Sequence, residues 1–171
     1  MIERFERAFV AANRWLLVAI LAAMSVIIFA NVCLRYLTTE SIVWAEEVAR
    51  HLMIWLTFLG AGLVLRHGGH IAIENLHDVL PARAARGLRI LVAISLAVFF
   101  AAMIRFGVIY VERTMLQTSS ATQIPFGYIY LAMPIGFALM MAHLALIVRG
   151  YVRERSFPAS ADVDAESMRS L

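Results

Sequence analysis

The 171-residue sequence has little charge, one cysteine and no lysine, and each shortage argues against a class of protein. Charged residues make up only 16% of the chain and hydrophobic residues 62%, which is outside the usual range for a soluble domain. The single thiol, Cys33, cannot form a disulfide framework within one chain. All fifteen basic residues are arginines, and they lie at the ends of apolar segments and not in one patch, which argues against nucleic-acid binding. With a mean hydropathy of +0.79, the chain needs lipid as its solvent.

Four apolar stretches are long enough to cross a hydrocarbon layer of roughly 30 Å as helices. They lie at about residues 15–34, 46–65, 88–111 and 124–148. The first is too long for the apolar region of a signal peptide and no small-x-small cleavage site follows it, so it is predicted to remain in the protein. We predict an all-α integral membrane protein with its membrane domain at 1–155. An interfacial segment at 71–80 and a disordered, polar tail at 156–171 complete this prediction.

The arginines predict the orientation of the four spans. Eleven of them lie in the N-terminal segment, in the connection between the second and third spans, and in the C-terminal segment. The remaining four are Arg35, Arg50, Arg105 and Arg113. Because positively charged segments stay on the cytoplasmic side, both termini are predicted to be cytoplasmic. The predicted location is the inner membrane of a bacterium.

One cluster of charges is predicted at the periplasmic ends of the first three spans. It consists of Arg35, Glu46, Glu47, Arg50 and Arg105. Glu46 and Arg50 are four residues apart, so they can pair on one helix face. Arg105 then needs a counter-charge at membrane depth, and Glu47 is the preferred partner, with Glu112 as the alternative. We favour a structural tie between helices over a proton or ion relay, because no charges continue the cluster across the other half of the membrane.

Prolines and small residues predict details of helix packing. Pro125 suits the first turn of the fourth span, whereas Pro134 removes a backbone hydrogen bond and is expected to kink that span. Small residues at several positions could let helices approach closely. They are Gly60, Gly62, Ala132, Gly136, Ala138 and Ala142.

The histidines do not predict a metal or haem site. His67 and His70 have the spacing of half a zinc site, but no cysteine accompanies them, and His77 lies beyond a glycine turn. For haem, His51 and His143 are predicted to differ in depth by roughly 20 Å, which one iron cannot bridge. No nucleophile with a base, phosphate loop or pair of acids in a cleft is present. We therefore expect no cofactor, no metal and no enzymatic activity.

Three stretches of this sequence resemble a known family. The stretches are 31–36 (NVCLRY) with 41–47 (SIVWAEE), 54–61 (IWLTFLGA) with 66–71 (RHGGHI), and 122–125 (TQIP) with 130–136 (YLAMPIG). In this order they are similar to the small membrane subunit of tripartite ATP-independent periplasmic (TRAP) transporters, the DctQ-like family. The resemblance covers about residues 10–150.

The resemblance implies a subunit of a three-part importer. A periplasmic binding protein captures an organic acid, a large permease subunit moves it together with sodium, and the small subunit braces the large one and helps to dock the binding protein. The expected partners are therefore these two proteins and the lipid bilayer. Two other functions remain open from the residues: a stand-alone four-helix transporter, and a membrane anchor for a peripheral oxidoreductase.

Overall fold

The computed structural model describes residues 2–38, 40–66 and 81–154, and within these ranges it contains five α-helices and no β-strand. The helices are α1 (Ile2–Thr38), α2 (Ala45–Arg66), α3 (Ala82–Thr114), α4 (Phe126–Tyr130) and α5 (Ala132–Glu154). Four stretches are long and apolar enough to cross a membrane: Glu6–Thr38, Ala45–Arg66, Arg83–Thr114 and Phe126–Val148. The predicted all-α fold with four spans is confirmed. The expected interfacial segment at 71–80 and the tail at 156–171 lie outside the described residues.

Two helices are longer than the apolar stretches that predicted them. α1 has 37 residues and α3 has 33, so at 1.5 Å per residue each exceeds the roughly 30 Å thickness of the hydrocarbon layer. Residues 2–14 contain neither proline nor glycine, so nothing in the sequence ends α1 where its apolar stretch ends. α3 begins directly after Pro81. Hydropathy therefore located the spans but not the helix ends.

The fourth span is interrupted once, and the interruption agrees with the expected effect of Pro134. α4 ends at Tyr130 and α5 starts at Ala132, with Leu131 between them in a right-handed helical conformation. Pro134 has no N–H to donate to the carbonyl of Tyr130, four residues earlier. The neighbouring helical bonds persist, from Leu131 N–H to Gly127 O at 3.0 Å and from Ile135 N–H to Leu131 O at 3.2 Å. Helical hydrogen bonds thus continue on both sides of the bond that is missing at Pro134, and the kink stays a prediction.

The spans pack in the order α1, α2, α5, α3. α1 contacts mainly α2, and α5 lies between α2 and α3. The hydrophobic core is formed by α2, α3 and α5 and contains Leu65, Phe100, Met140, Leu144, Ile147 and Tyr151. We call the end of the bundle with connections 40–44 and 115–125 the loop end. The opposite end, where α1 and α3 begin and α2 and α5 end, is the terminal end.

Glycines allow α2 and α5 to approach closely as parallel helices. A Cβ atom at Gly136 would lie 2.6 Å from Phe58 Cβ and 2.8 Å from Phe58 O, and one at Gly62 would lie 2.7 Å from His143 Cδ2. The close approach expected at these two glycines is present. Gly60 differs, because its Cβ would only touch Leu17 of α1 at an ordinary 3.9 Å.

The other small residues expected at close contacts divide into two groups. Ala132 is fully buried, at the start of α5. Ala138 and Ala142 are exposed, so they are not buried in a helix contact among the described residues. Spacing alone does not tell which face of α5 meets a neighbour, because small residues occur on both faces.

α1 is attached to α2 and to the connection that precedes α2 through two asparagine side chains. Among residues 6–38, the two buried residues are Asn13 and Asn31. Asn13 donates from Nδ2 to the carbonyl of Leu59 at 3.2 Å, and Asn31 Oδ1 accepts from the N–H of Ile42 at 2.6 Å. In lipid, apolar packing gives little preference for one neighbour over another, and interhelical hydrogen bonds of roughly 0.6–2 kcal/mol help to set position. The Asn13 contact therefore fixes where α1 lies along α2, and the Asn31 contact holds the connection 40–44 against α1.

Candidate interaction sites

At the loop end, the side chain of Glu47 holds the connection between α3 and α4. Glu47 Oε2 accepts a hydrogen bond from the N–H of Ala121 at 2.8 Å, and Oε1 accepts one from the N–H of Thr122 at 3.0 Å. The Thr122 hydroxyl also donates to Oε1. A carboxylate that accepts two backbone N–H groups and a hydroxyl is strongly tied to its partners. We call Glu47 with Ser119, Ala121 and Thr122 the Glu47 clamp.

The connection that Glu47 holds is itself a hydrogen-bonded turn. The N–H of Ser119 donates to Ile124 O at 3.0 Å, and the N–H of Ile124 donates to the Ser119 hydroxyl at 3.2 Å. The hydroxyls of Ser119 and Thr122 are 2.7 Å apart. Gln123 has a φ of 55°, a left-handed conformation that a tight turn requires. The turn is thus defined locally and then fixed to α2 by Glu47.

The predicted ion pair between Glu47 and Arg105 is wrong. Glu47 is occupied by the turn, and within the described ranges Arg105 forms no ion pair with Glu47 or with Glu112. Arg105 is exposed on α3. The prediction counted charged partners only, whereas backbone N–H groups at 2.8–3.0 Å satisfy a carboxylate as well. Arg105 is left to extend toward the membrane surface or to meet another molecule.

The local pair expected between Glu46 and Arg50 is also not formed. Both side chains are exposed on α2, and neither takes part in an ion pair among the described residues. Arg35 is exposed at the last turn of α1. The five predicted cluster residues thus share the loop end, but no ion pair within the described chain brings any of them together. Their role in interaction stays a prediction.

Sequence analysis missed a buried ion pair at the terminal end. The Glu6 carboxylate accepts from the Arg66 guanidinium, with exposures of 24% for the Glu6 and 7% for the Arg66 side chain. From the sequence, Arg66 counts only toward the orientation of the spans and toward the stretch 66–71 that resembles the family. A signal was present, because Glu6 and Asn13 are seven residues apart and so lie on one face of α1.

His143 lies beside this pair, at the junction of α1, α2 and α5. It is fully buried and its ring is 5.0 Å from that of Phe9, between ring centroids. Gly62, which contacts His143, lies eleven residues beyond His51 on α2, or about 16 Å along the helix. The two histidines are therefore at different depths, as the sequence indicated. Among the described residues, no three His, Cys, Asp or Glu residues are placed to hold a metal, and His67, His70 and His77 lie outside those residues.

Large apolar side chains are exposed along the outer faces of α1 and α3. Those on α1 include Trp15, Leu16, Val18, Leu21, Val26 and Phe29, and those on α3 include Ile90, Leu91, Ile94, Val98 and Phe106. These faces lie at the two edges of the bundle, since α1 contacts mainly α2 and α3 contacts α4 and α5. They are suited to contact lipid or a second membrane protein.

The Glu47 clamp makes a direct prediction about the mobility of the turn. In Glu47→Gln, the charged acceptor is lost, and hydrogen exchange of the Ala121 and Thr122 amides is expected to accelerate roughly 10- to 100-fold. The measurement is residue-resolved amide exchange of the protein in detergent or nanodiscs. Glu46→Gln is the matched control, because Glu46 is the neighbouring, exposed carboxylate, and it is expected to leave both amides unchanged. Equal protection in Glu47→Gln and the wild type would contradict the clamp.

The fold defines a class: a multi-pass helical membrane protein with four long apolar helices. Within that class, residues 24–153 match the profile of the family described as tripartite ATP-independent periplasmic transporters, DctQ component. The match covers more than half of the chain, so the chain belongs to this family. Its members are transporter subunits, which confirms the prediction that this chain is not an enzyme. The chain is a multi-pass protein of the inner membrane.

Several characterised proteins are similar to this chain. The ectoine TRAP transporter small permease protein TeaB of Halomonas elongata is 34% identical over 130 residues, which cover 71% of this chain and 66% of TeaB. The C4-dicarboxylate TRAP transporter small permease protein DctQ of Vibrio cholerae is 32% identical over 95 residues, covering 56% of this chain and 40% of that protein. The isethionate TRAP transporter permease protein DctMQ of Oleidesulfovibrio alaskensis is 28% identical over 151 residues, or 87% of this chain. The alignment spans only 24% of that last, much longer protein.

Proposed function

We propose that this chain is the small permease subunit of a TRAP-type importer of organic acids. In this proposal it braces a large, sodium-coupled permease subunit and helps to dock a periplasmic binding protein. The observation that carries the proposal is the match of residues 24–153 to the DctQ component. Relatives named for ectoine, C4-dicarboxylates and isethionate all match this one chain, which supports placing the choice of substrate in the other components.

Partnership with a large subunit is supported by the lengths of two relatives. The segments similar to this chain make up 24% of DctMQ and 21% of the sialic acid TRAP transporter permease protein SiaT of Haemophilus influenzae. A DctQ-like segment that is part of a longer permease works beside the rest of that permease. In this chain the exposed apolar faces of α1 and α3 offer the surface for such a neighbour.

Docking of a binding protein is assigned to the loop end. The arginine asymmetry favours a periplasmic loop end, with the terminal end in the cytoplasm. There the turn held by the Glu47 clamp follows Leu116, whose side chain is 95% exposed. An exposed apolar residue beside a fixed turn is suited to contact a partner, because little conformational entropy is lost on binding.

The test is reconstitution in liposomes with a sodium gradient, using this chain, a large TRAP permease subunit and the solute-binding protein of the same organism. Uptake of an organic acid is expected with all three components, and none is expected with this chain alone, with the large subunit alone or without the binding protein. Copurification of this chain with the large subunit is the second readout. Uptake by this chain alone would establish a stand-alone transporter and overturn the proposal. Full uptake without this chain would also contradict it.

A further inference from the structure

A groove runs between α1 and α2 at the loop end. It has a volume of about 560 Å³. Its lining includes Ser25, Ile28, Phe29 and Val32 from α1 and Arg50 and Met53 from α2. We call it the α1–α2 groove. Apart from one serine hydroxyl and one guanidinium, these side chains are apolar, so the groove combines an apolar wall with a single positive charge.

The groove is about as long as an acyl chain in one leaflet, and Arg50 lies near the level of the membrane surface. Its lining on α1 extends from Met24 to Val32, which is about 12 Å along the helix, against a half-thickness of the hydrocarbon layer of roughly 15 Å. Arg50 lies five residues after Ala45, the first residue of α2, or about 7.5 Å into the helix. Trp44 precedes α2 and is 46% exposed, which is typical of a residue at the membrane surface. A guanidinium that extends toward the surface therefore reaches the level of lipid headgroups.

Arg50 forms no ion pair within the described part of this chain. Glu47 is engaged by the turn of the Glu47 clamp, and Glu46, although one turn away, forms no ion pair with Arg50. Arg35 follows Val32 by three residues on the same side of α1 and adds a second exposed positive charge near the mouth of the groove. The formal charges of Arg35 and Arg50 are balanced by those of Glu46 and Glu47, but neither guanidinium forms an ion pair within the described residues. The N–H donors of Arg50 are therefore available to an oxygen of an anion such as a phosphate.

We propose that the α1–α2 groove binds one phospholipid of the surrounding leaflet, with its phosphate at Arg50 and one acyl chain along α1. The phosphodiester supplies the counter-charge to Arg50, and the acyl chain packs against the apolar side chains that line the groove. A second groove, of about 380 Å³, lies between α3 and α5 and differs from the α1–α2 groove in its charge. Its lining, which includes Ile90, Ala97 and Met141, has no charged side chain, so nothing there selects a headgroup.

Two variants separate the charge from the shape of the groove. Arg50→Gln removes the phosphate partner, and Ser25→Trp fills the groove without changing any charge. Both positions are exposed, so neither change disturbs the buried core. Arg113→Gln is the matched control, because Arg113 is an exposed arginine at the loop end of α3 that does not line the groove. Glu46→Gln removes the nearby carboxylate and is expected to increase lipid retention.

The measurement is native mass spectrometry of the full chain after exchange into micelles with phosphatidylglycerol, phosphatidylethanolamine or diacylglycerol. One retained phospholipid per chain is expected for the wild type and for Arg113→Gln. Retention is expected to fall about tenfold in Arg50→Gln and in Ser25→Trp, and diacylglycerol, which lacks the phosphate, is not expected to be retained. Equal retention of phospholipid in the wild type and both groove variants would overturn the proposal. If either variant fails to copurify with the large permease subunit while its phospholipid retention is unchanged, the groove is a protein interface, and this result would also overturn the proposal.

Discussion

The variant Gly136→Ala is expected to unfold at a clearly lower temperature than the wild-type chain, although the change adds one methyl group. Its Cβ would lie 2.6 Å from Phe58 Cβ, 2.8 Å from Phe58 O and 2.9 Å from Phe58 C. Two of these atoms belong to the backbone of α2, so a side-chain rotation cannot relieve the contact. α2 and α5 must separate, and this separation also disturbs the core contacts between Leu65 and α5. Overpacking of this kind costs about 1–3 kcal/mol.

At two control glycines, substitution by alanine is expected not to lower the stability of the protein. At Gly60 the added Cβ would meet Leu17 side-chain atoms at 3.9 Å, and at Gly87 it would meet nothing within 4 Å. Because alanine favours a helix over glycine by about 1 kcal/mol, Gly60→Ala and Gly87→Ala are expected to be neutral or stabilising. Thermal unfolding of the three variants in the same detergent measures the difference. If Gly136→Ala is as stable as Gly60→Ala, the close packing of α2 on α5 is not present in the protein.

Hydropathy predicted the number of spans, because burial of an apolar stretch in lipid depends only on local composition and length. Hydropathy did not predict the helix ends, since the residues before Trp15 form a helix although several of them are charged. The interruption of the fourth span lies at Leu131, within one turn of Pro134, because loss of a backbone donor acts on the carbonyl four residues earlier. Hydropathy and the proline rule thus predicted features that depend on neighbouring residues in the sequence.

The partner of Glu47 could not be predicted from the sequence. Its hydrogen-bond donors are at Ala121 and Thr122, more than seventy residues away, and they are backbone groups that every residue type except proline provides. A search for opposite charges found Arg105, which lies on an exposed face of α3. The same difficulty affects Asn13, whose acceptor is the carbonyl of Leu59. Contacts to backbone groups have no signature in the sequence of the partner segment.

The second large effect is expected at the terminal end, where Glu6→Gln removes one member of the ion pair with Arg66. The Arg66 side chain is only 7% exposed, so the variant leaves a nearly buried guanidinium without its carboxylate. Breaking a buried pair by removing one member costs about 3 kcal/mol or more, whereas an exposed pair contributes roughly 0–1 kcal/mol. Because Glu6 is 24% exposed and partly screened by water, the expected loss is about 2 kcal/mol. Glu46→Gln, which removes an exposed carboxylate that forms no ion pair in the described chain, is the matched control and is expected to be neutral.

A double variant distinguishes the loss of the pair from the loss of either side chain. Arg66→Met removes the buried charge but keeps much of the apolar length of the side chain, so Glu6→Gln with Arg66→Met is expected to be more stable than Glu6→Gln alone. Part of the loss remains, since Arg66 is the last residue of α2 and a positive charge there favours the helix by roughly 0.3–1 kcal/mol. Hydrogen exchange in the first turns of α1 is expected to follow the same order, because the pair ties that part of α1 to α2. Additive losses in the double variant would show that Glu6 and Arg66 stabilise the protein through separate partners.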